Sequence, residues 1–432
     1  MPEIKELYSL FKQYPQICTD TRDISEGSLF FALKGENFNA NKFAAEALEK
    51  GSKFAIIDEK EFKKGSQYIL VNDVLKTLQQ LASFHRNQLK IPVLGITGTN
   101  GKTTTKELIN AVLSKKYSVH STKGNFNNHI GVPLTILSIK DDVEFAVIEM
   151  GANHPGEIGE LCSISRPDYG VITNIGKAHL EGFGSIEGVV NTKRELYDFI
   201  VSVNGKVFVC IDNGLLMELS EGMQRITYGV FPNSDYKGEI LESNPFLNFK
   251  WHCKSLQQEL RISTNLIGYF NFENVLAAVS IGDYFGVKPL DIKNAIENYK
   301  PTNNRSQHIV TKKNTLFMDA YNANPTSMDA AIRNFSQINF SNKFAIIGDM
   351  RELGIEAEQE HQKILELLEN SDFDKILLVG KVFTSLNKSS AIPAFENVSE
   401  AKVWLKNLNP EGFNILIKGS RGIKLENLLE CL

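Results

Sequence analysis

The chain has 432 residues, more than a single typical domain holds, so we expect two or three domains. Its hydrophobic fraction of 42% suffices for a sizeable core, and its formal net charge of -4 excludes the strongly basic surface of a nucleic-acid-binding protein. No apolar run approaches the roughly 20 residues that span a bilayer, and the N-terminus is too polar for a signal peptide. We therefore expect a cytoplasmic protein that does not insert into membranes. The five cysteines form no C-x-x-C pair, and their apolar neighbours predict buried free thiols.

The first 88 residues have the pattern of a small α/β domain. Predicted helices lie at 7–14, 43–50 and 74–88, and predicted strands at 28–33, 53–57 and 68–71. Thr21, Arg22 and Lys34 fall in polar turns around these strands, where they could face a ligand. Taken alone, Arg22 and Lys34 would more often be solvated surface charges.

The strongest signal in the chain is a glycine-rich turn between a strand and a helix. The apolar run 91–96 predicts the strand, and an amphipathic pattern predicts the helix from Lys106 onward. The turn consists of Gly98, Thr99, Asn100, Gly101, Lys102, Thr103 and Thr104. Such a turn aims backbone N–H groups at one point, where the helix dipole favours an anion, and the Lys102 ammonium and Thr103 hydroxyl suit phosphate and Mg²⁺. Ile96 replaces the first glycine of the common P-loop, but we still predict a phosphate site rather than a plain glycine-rich turn.

Two further strands of this region end in polar residues that suit a metal site. The apolar run 144–150 predicts a buried parallel strand ending in Glu149, and 169–175 predicts another that is followed by His179. Ligands of open α/β sheets lie at the carboxyl ends of strands, and Mg²⁺ prefers a carboxylate together with phosphate oxygens. We therefore predict Glu149 as a metal ligand, and His179 as a second ligand or a phosphate donor. Lys193 falls on a predicted helix at 188–200, where a lysine is normally a solvated charge.

The rest of this middle region, which we bound at 89–301, combines a polar loop with further α/β elements. Asn125, Asn127 and Asn128 lie in the loop 121–133, whose composition suits either donors beside a ligand or a structural turn. The later predictions are a strand at 206–211, antiparallel hairpins at 225–263, a helix that is capped by Asn271 and carries Asn274, and a helix at 290–299.

Residues 302–432 predict a third domain with a parallel sheet. Strands at 315–319, 343–348, 375–379 and 413–417 alternate with helices at 326–336, 356–369, 398–407 and 422–430. Polar clusters that begin at Asp319, Gly348 and Lys418 follow three of these strands, so one rim of the sheet is expected to be functional. The region has no G-x-G-x-x-G, which leaves a dinucleotide site unsupported.

In matching order, these motifs resemble the ATP-dependent Mur ligases of peptidoglycan synthesis over essentially the whole chain. The matching stretches are 98–104, 149–151, 173–179 and the clusters after the C-terminal strands. Residues 319–327 and 348–354 are similar to the branch that adds D-alanyl-D-alanine, and 20–22 with 27–35 resemble its UDP-sugar domain. One position differs, because the family usually has Gly-x-His-Asn where this chain has Phe270 before Asn271.

The resemblance implies an α/β fold of three domains. They would be a small UDP-substrate domain (1–88), a central P-loop-type ATPase domain with a mostly parallel sheet (89–301) and a C-terminal Rossmann-like domain (302–432).

The resemblance also implies roles for individual residues. Lys102, His179 and Lys193 would be catalytic, with Lys102 on the ATP phosphates. Thr103 and Glu149 would hold one Mg²⁺ and His179 would help to hold a second, while Lys193 matches a lysine that is often carbamylated and could then serve a metal. The nucleotide-binding positions would be Gly98, Thr99, Asn100, Gly101, Lys102, Thr103, Thr104, Asn271, Asn274, Arg305 and Asp319. The substrate-binding positions would be Thr21, Arg22, Lys34, Asn125, Asn127, Asn128, Asn322 and Asn324.

The implied reaction joins a carboxylate to an amine. ATP with Mg²⁺ would activate the terminal carboxylate of UDP-N-acetylmuramoyl-tripeptide as an acyl phosphate, D-alanyl-D-alanine would then displace phosphate, and the expected enzyme is a monomer. One alternative is another ligase of this architecture, such as a folylpolyglutamate synthase or a Mur ligase for a different amino acid. A second is a nucleotide-dependent switch without ligase chemistry, although a switch needs only one of the site-like clusters seen in the three domains. A scaffolding role has no sequence feature in its favour.

Overall fold

The computed structural model describes residues 2–302, 304–388 and 391–432 and shows an α/β protein of three domains. In each domain a largely parallel sheet is covered by helices, which confirms the predicted fold class. The sequence-derived boundaries leave each of these sheets within one domain. No helix in the described ranges is both long and apolar enough to cross a bilayer. All five cysteines are free thiols, and all but Cys431 are fully buried, as predicted.

The first domain is built on a small parallel sheet. Its helices are α1 (Ile4–Gln13), α2 (Ala44–Glu49) and α3 (Val74–Gln88). Its strands are β1 (Ile17–Cys18), β2 (Leu29–Phe31), β3 (Lys34–Gly35), β4 (Phe38–Asn39), β5 (Phe54–Ile57) and β6 (Tyr68–Leu70). The sheet order is β1-β2-β5-β6, and β3 and β4 form a separate hairpin. The three predicted strands are confirmed, whereas β1, β3 and β4 were missed because a two-residue strand leaves no periodic pattern.

The middle domain holds the largest sheet. Its strands are β7 (Val93–Thr97), β8 (Val119–Ser121), β9 (Phe145–Glu149), β10 (Tyr169–Ile172), β11 (Lys206–Cys210), β12 (Arg225–Gly229), β13 (Tyr236–Ser243), β14 (Phe246–Cys253) and β15 (Gln258–Ile267). Its helices are α4 (Lys102–Leu113), α5 (Gly131–Leu137), α6 (Glu157–Ser165), α7 (Leu180–Phe183), α8 (Ile186–Ser202), α9 (Gly214–Leu219), α10 (Asn271–Tyr284) and α11 (Pro289–Asn298). The sheet order is β15-β14-β13-β12-β11-β10-β7-β9-β8.

The register of this sheet brings the predicted site strands to one edge. Ile96 on β7 lies opposite Glu149 on β9 and Val171 on β10, and all three strands are parallel. Helices α4 and α10 cover one face, and α6 and α8 cover the other. The turn after β7, the end of β9 and the chain after β10 therefore meet at a common rim.

Three predictions for the middle domain are corrected. Residues 225–263 are not all antiparallel hairpins, because β12 pairs in parallel with β11 after the α9 crossover and only β13, β14 and β15 are antiparallel. Helix α4 begins at Lys102 rather than Lys106, since Gly101 turns the chain at φ 78° directly before it. Asn271 does not cap α10, because it already lies inside the first turn and its side chain donates to the Ile267 carbonyl.

The third domain has a six-stranded sheet within the described part of the chain. Its strands are β16 (Gln307–Val310), β17 (Thr315–Asp319), β18 (Lys343–Gly348), β19 (Lys375–Val379), β20 (Ala394–Phe395) and β21 (Asn414–Lys418), and its helices are α12 (Pro325–Gln337), α13 (Ala357–Glu369), α14 (Lys381–Leu386) and α15 (Val398–Leu408). The order β16-β17-β21-β18-β19-β20 is parallel except for β16. The predicted helix at 422–430 is instead made of 3₁₀ turns at Arg421–Ile423 and Leu425–Cys431.

Candidate active site

A cavity of about 580 Å³ opens between the rims of the middle and third sheets. Its walls contain most of the residues singled out in the sequence. From the middle domain these are Gly98, Thr99, Asn100, Gly101, Lys102, Thr103, Thr104, Asn125, Asn127, Asn128, Glu149, His179, Lys193, Asn271 and Asn274. From the third domain they are Arg305, Asp319 and Asn322. Among the described lining residues, Thr21, Arg22, Lys34 and Asn324 are absent.

The glycine-rich turn has the backbone shape that a close ligand approach requires. Gly98 and Gly101 have φ of 143° and 78°, and a Cβ on Gly98 would lie 2.0 Å from the Thr173 hydroxyl. Lys102 curls back over the turn, and its ammonium donates to the Gly98 carbonyl at 2.8 Å and the Thr99 carbonyl at 3.1 Å. Burial, assisted by the Arg305 charge and opposed by Glu149, lowers the pKa of Lys102 to about 8. The turn thus presents a cation beside a helix N-terminus.

Glu149 is a buried carboxylate with one oxygen left over. Its Oε1 accepts from the Thr103 hydroxyl at 3.1 Å and from Asn127 Nδ2 at 2.8 Å. Its Oε2 is buried and has no hydrogen-bond partner in the described chain. A carboxylate and a hydroxyl in the wall of a polar cavity suit a hard divalent cation, so the residues present fit Mg²⁺.

Lys193 lies in the same cavity wall, which the sequence pattern alone did not indicate. Its side chain on α8 is only 3% exposed, and its ammonium lies 5.5 Å from the centre of the Phe183 ring. Burial and the Lys102 charge lower the pKa of Lys193 to about 7. A neutral amine is the form that can take up CO₂, so this environment is compatible with the carbamate that the family resemblance implies.

His179 connects the two domains instead of joining a preformed metal cluster. It adopts φ 51° after β10, and its ring forms an ion pair with Glu352 of the third domain when protonated. The described residues contain no group of three or more His, Cys, Asp or Glu arranged around a possible metal ion. A metal role for His179 therefore stays a prediction, although the residue lines the cavity.

The predicted nucleotide contacts on α10 are held by internal hydrogen bonds. Asn274 Nδ2 donates to Asn271 Oδ1 at 3.0 Å, and Asn274 Oδ1 accepts from the Thr105 hydroxyl at 3.1 Å. These bonds fix α10 against α4, so the amides act as parts of the wall. Phe270, which replaces the usual histidine, also lines the cavity and is 40% exposed.

The third domain contributes two side chains that the sequence analysis did not assign. The Arg305 guanidinium stacks on Tyr321 at 3.7 Å from the ring centre, and Lys418 forms an ion pair with Asp319. Tyr321 and Lys418, the two residues without an assigned role, both line the cavity, and Lys418 is buried. Lysines and tyrosines are too common at strand ends for one sequence to show which of them belong to a site. The folded structure shows which ones line the cavity.

The asparagines predicted to bind substrate make different contacts in the structure. Asn127 donates to Glu149, whereas Asn128 Oδ1 accepts from the Ile130 and Gly131 amides in the turn before α5. Asn324 is the N-cap of α12 and donates across the domain boundary to Asn100 at 2.8 Å. The structural-turn interpretation of the asparagine loop therefore fits Asn128, and ligand contacts by the loop stay a prediction.

The first-domain residues lie apart from the cavity. Arg22 is paired with Asp20, and Lys34 lies 3.1 Å from Asp58 and 3.4 Å from Glu59. Thr21 accepts from the Lys50 ammonium through its carbonyl. Their predicted role toward a UDP-linked substrate concerns a separate surface of the molecule and stays a prediction.

Comparisons with known proteins agree with this architecture. The family model "Mur ligase middle domain" matches residues 96–282, and "Mur ligase, glutamate ligase domain" matches residues 304–421. The UDP-N-acetylmuramoyl-tripeptide–D-alanyl-D-alanine ligase of Bacillus subtilis is 36% identical over 96% of this chain and 92% of its own, and that of Escherichia coli is 33% identical over 96% and 93%. A crystal structure of MurF from Acinetobacter baumannii superposes with a TM-score of 0.87 at 32% identity over 96% of this chain and 92% of its own. The MurF ligase of Thermotoga maritima in complex with ADP gives 0.85 at 26% identity over 100% and 98%.

Proposed function

This chain belongs to the Mur ligase family, and we propose that it joins D-alanyl-D-alanine to UDP-N-acetylmuramoyl-tripeptide at the expense of ATP. The observation that carries the proposal is the cavity whose walls contain Lys102, Thr103 and Glu149 of the middle domain together with third-domain residues. An amide ligase needs this arrangement, because it must bring a nucleotide, an acid and an amine together in one enclosed space.

The chemistry asks the protein mainly to stabilise negative charge. A carboxylate is a poor electrophile, so the tripeptide carboxylate attacks the γ-phosphorus of ATP, ADP leaves, and an acyl phosphate forms. The amine of the dipeptide then attacks the acyl carbon, phosphate leaves, and the amine loses a proton. In this proposal Lys102 and backbone amides of the 98–103 turn bind the transferring phosphoryl group, except for the Thr99 and Asn100 amides, which donate to Asn174. Mg²⁺ held by Thr103 and Glu149 would supply further positive charge beside the phosphate oxygens.

The remaining residues position the reactants. In this proposal Arg305 and Asp319 contact the nucleotide from the third domain, and Asn271 and Asn274 shape its adenine end. Asn125 and Asn127 also line the cavity, and in this proposal they contact the UDP-linked peptide that the first domain would hold through Thr21, Arg22 and Lys34. The proposal includes action as a monomer in the cytoplasm, and the similarity to ligases of peptidoglycan precursor synthesis supports the cytoplasmic location.

A phosphate-release assay with an acceptor panel tests the proposal. Purified protein, ATP, MgCl₂ and UDP-N-acetylmuramoyl-tripeptide are combined with D-alanyl-D-alanine, L-lysine, diaminopimelate or L-glutamate, and the products are checked by mass spectrometry. We expect phosphate release and a UDP-linked pentapeptide with D-alanyl-D-alanine only. Ligation of another amino acid would identify a different ligase of this architecture, and ATP hydrolysis that ignores both substrates would identify a switch.

A further inference from the structure

A second lysine of α4, Lys106, lies behind the proposed metal site. It follows Lys102 by one helical turn, is only 4% exposed and is not among the described residues that line the cavity. Its ammonium donates to the Thr122 carbonyl at 2.7 Å and lies 4.0 Å from Glu149 Oε2. None of the roles assigned above uses this buried cation.

Glu149 needs a charge partner that its hydrogen bonds do not supply. Its side chain is 1% exposed, and the groups that donate to it from the described parts of the chain, the Thr103 hydroxyl and the Asn127 amide, are neutral. A buried carboxylate without a nearby cation is strongly unfavourable. Lys106 is close enough to balance the charge, but at 4.0 Å it leaves Oε2 without a hydrogen bond.

The same lysine also fixes the backbone around the carboxylate. Lys106 binds the Thr122 carbonyl, and the Thr122 hydroxyl accepts from the Glu149 amide at 2.9 Å. Lys106 therefore acts on Glu149 in two ways, through the hydrogen bond to Thr122 and through its positive charge. Lys106 itself is not among the described residues that line the cavity.

We propose that Lys106 is a positioning residue that acts as the built-in counter-ion of Glu149 and keeps the affinity of this carboxylate for a divalent cation low until ATP arrives. A metal ion at Oε2 would stand close to the Lys106 ammonium, and the repulsion would weaken its binding to the nucleotide-free protein. The phosphates of ATP add negative charge on the cavity side and outweigh the repulsion between the metal ion and Lys106. Metal and nucleotide therefore bind together. The inference rests on the proposed nucleotide site, because it assigns the second half of the charge balance to ATP.

Binding of Mn²⁺ to the nucleotide-free, full-length protein tests this inference without any turnover. Lys106→Met removes the charge and keeps the length of the side chain. We expect calorimetry or electron paramagnetic resonance to show Mn²⁺ binding about tenfold tighter than in the wild type, since a positive charge 4.0 Å from Glu149 Oε2 is removed. Lys115→Met, at an exposed position just after the same helix, is the matched control and should bind like the wild type.

Two further variants keep the test decisive. The gain should vanish when Glu149→Gln is added to Lys106→Met, and Lys106→Arg should retain the wild-type affinity. If the methionine variant does not fold, Lys106→Gln replaces it, with the same expected gain. Unchanged Mn²⁺ affinity in the uncharged variants, or a gain that persists without Glu149, would overturn the inference. A retained gain in a protein that ligates no dipeptide would count against the proposed function alone.

Discussion

Glu149 and Asp349 occupy equivalent places in two different sheets, and they are used differently. Glu149 ends β9 in the middle domain, and Asp349 follows β18 in the third. Both are buried. Asp349 accepts from the Val382 and Phe383 amides at 2.9 and 3.0 Å and so caps α14, whereas Glu149 Oε2 accepts no hydrogen bond from the described residues and lies 4.0 Å from the Lys106 ammonium.

The difference shows what separates a site from a cap at a parallel-sheet rim. A carboxylate after a buried strand meets either the N-terminus of a neighbouring helix or an open cavity. At Asp349 the neighbouring helix lies close enough to use both oxygens, and a Cβ on Gly380 would lie 2.1 Å from the Asp349 carboxyl carbon. Asp349 thus serves the start of α14, and the expectation that this rim of the third sheet is functional stays a prediction.

The largest expected effect is at the middle-domain rim. Lys102→Ala should keep the fold but lose over 99% of turnover, on the order of a hundredfold, because one electrostatic contact to the transferring phosphoryl group is lost. Phosphate release with both substrates measures this, and circular dichroism checks the fold. Lys115→Ala, exposed just beyond the same helix, is the control. Near-normal ligation by Lys102→Ala would remove the distinction between the two rims.

A second variant probes the buried lysine of the same rim. Lys193→Ala should lose about 10- to 100-fold of activity, as for groups that support a metal site. A short carboxylate such as acetate or formate in the buffer should restore part of it if a carbamate on Lys193 is the working group. Arg194→Ala, at an exposed neighbouring position, should behave like the wild type with or without the added acid. Without partial rescue, the carbamate role is unsupported.

Asp349→Ala tests the other side of the comparison. We expect a loss of about 1–2 kcal/mol in unfolding free energy, because two helix-start amides lose their acceptor, with little change in the turnover of the folded protein. Urea denaturation and the ligation assay measure the two quantities. Glu369→Ala, exposed at the end of α13, is the stability control. A large loss of turnover at unchanged stability would make this rim a catalytic one as well.

The smallest effect concerns the contact between the two rims. Lys177 of the middle domain lies 2.9 Å from Glu360 of the third, and Lys363 lies 2.8 Å from the same carboxylate within its own helix. Lys177→Gln should raise KM for the dipeptide about two- to threefold, because the variant loses an ion pair that holds the two domains together. The effect is small because a partly exposed ion pair contributes little free energy. Lys363→Gln should leave KM unchanged. Equal effects of both variants would mean that only the charge on Glu360 matters.

Much of the fold could be predicted from the sequence, because an apolar run or a helical period can be recognised within a single strand or helix. Strand β18 and helix α3 are predicted at their observed bounds. Short or edge strands such as β16 and β20 were missed, and the direction of β12 depends on a crossover that no local pattern reveals. The order of strands along the sequence thus predicted which polar residues lie at the carboxyl ends of the sheets.

What each polar residue does there depended on contacts between distant segments. Lys193 looks like any helical lysine in the sequence and becomes distinctive only through its burial and its lowered pKa. Lys106 meets Thr122 and Glu149 when α4 packs on the sheet, and Lys418 meets Asp319 when β17 and β21 pair. The first-domain predictions, Arg22 and Lys34, still await a substrate to test them.

A crystal structure with a non-hydrolysable ATP analogue and MgCl₂ tests the central claim most directly. The account predicts the terminal phosphates at the 98–103 turn, with Lys102 on the phosphate oxygens and a cation between Thr103 and Glu149. A nucleotide bound elsewhere, with this turn empty, would contradict it.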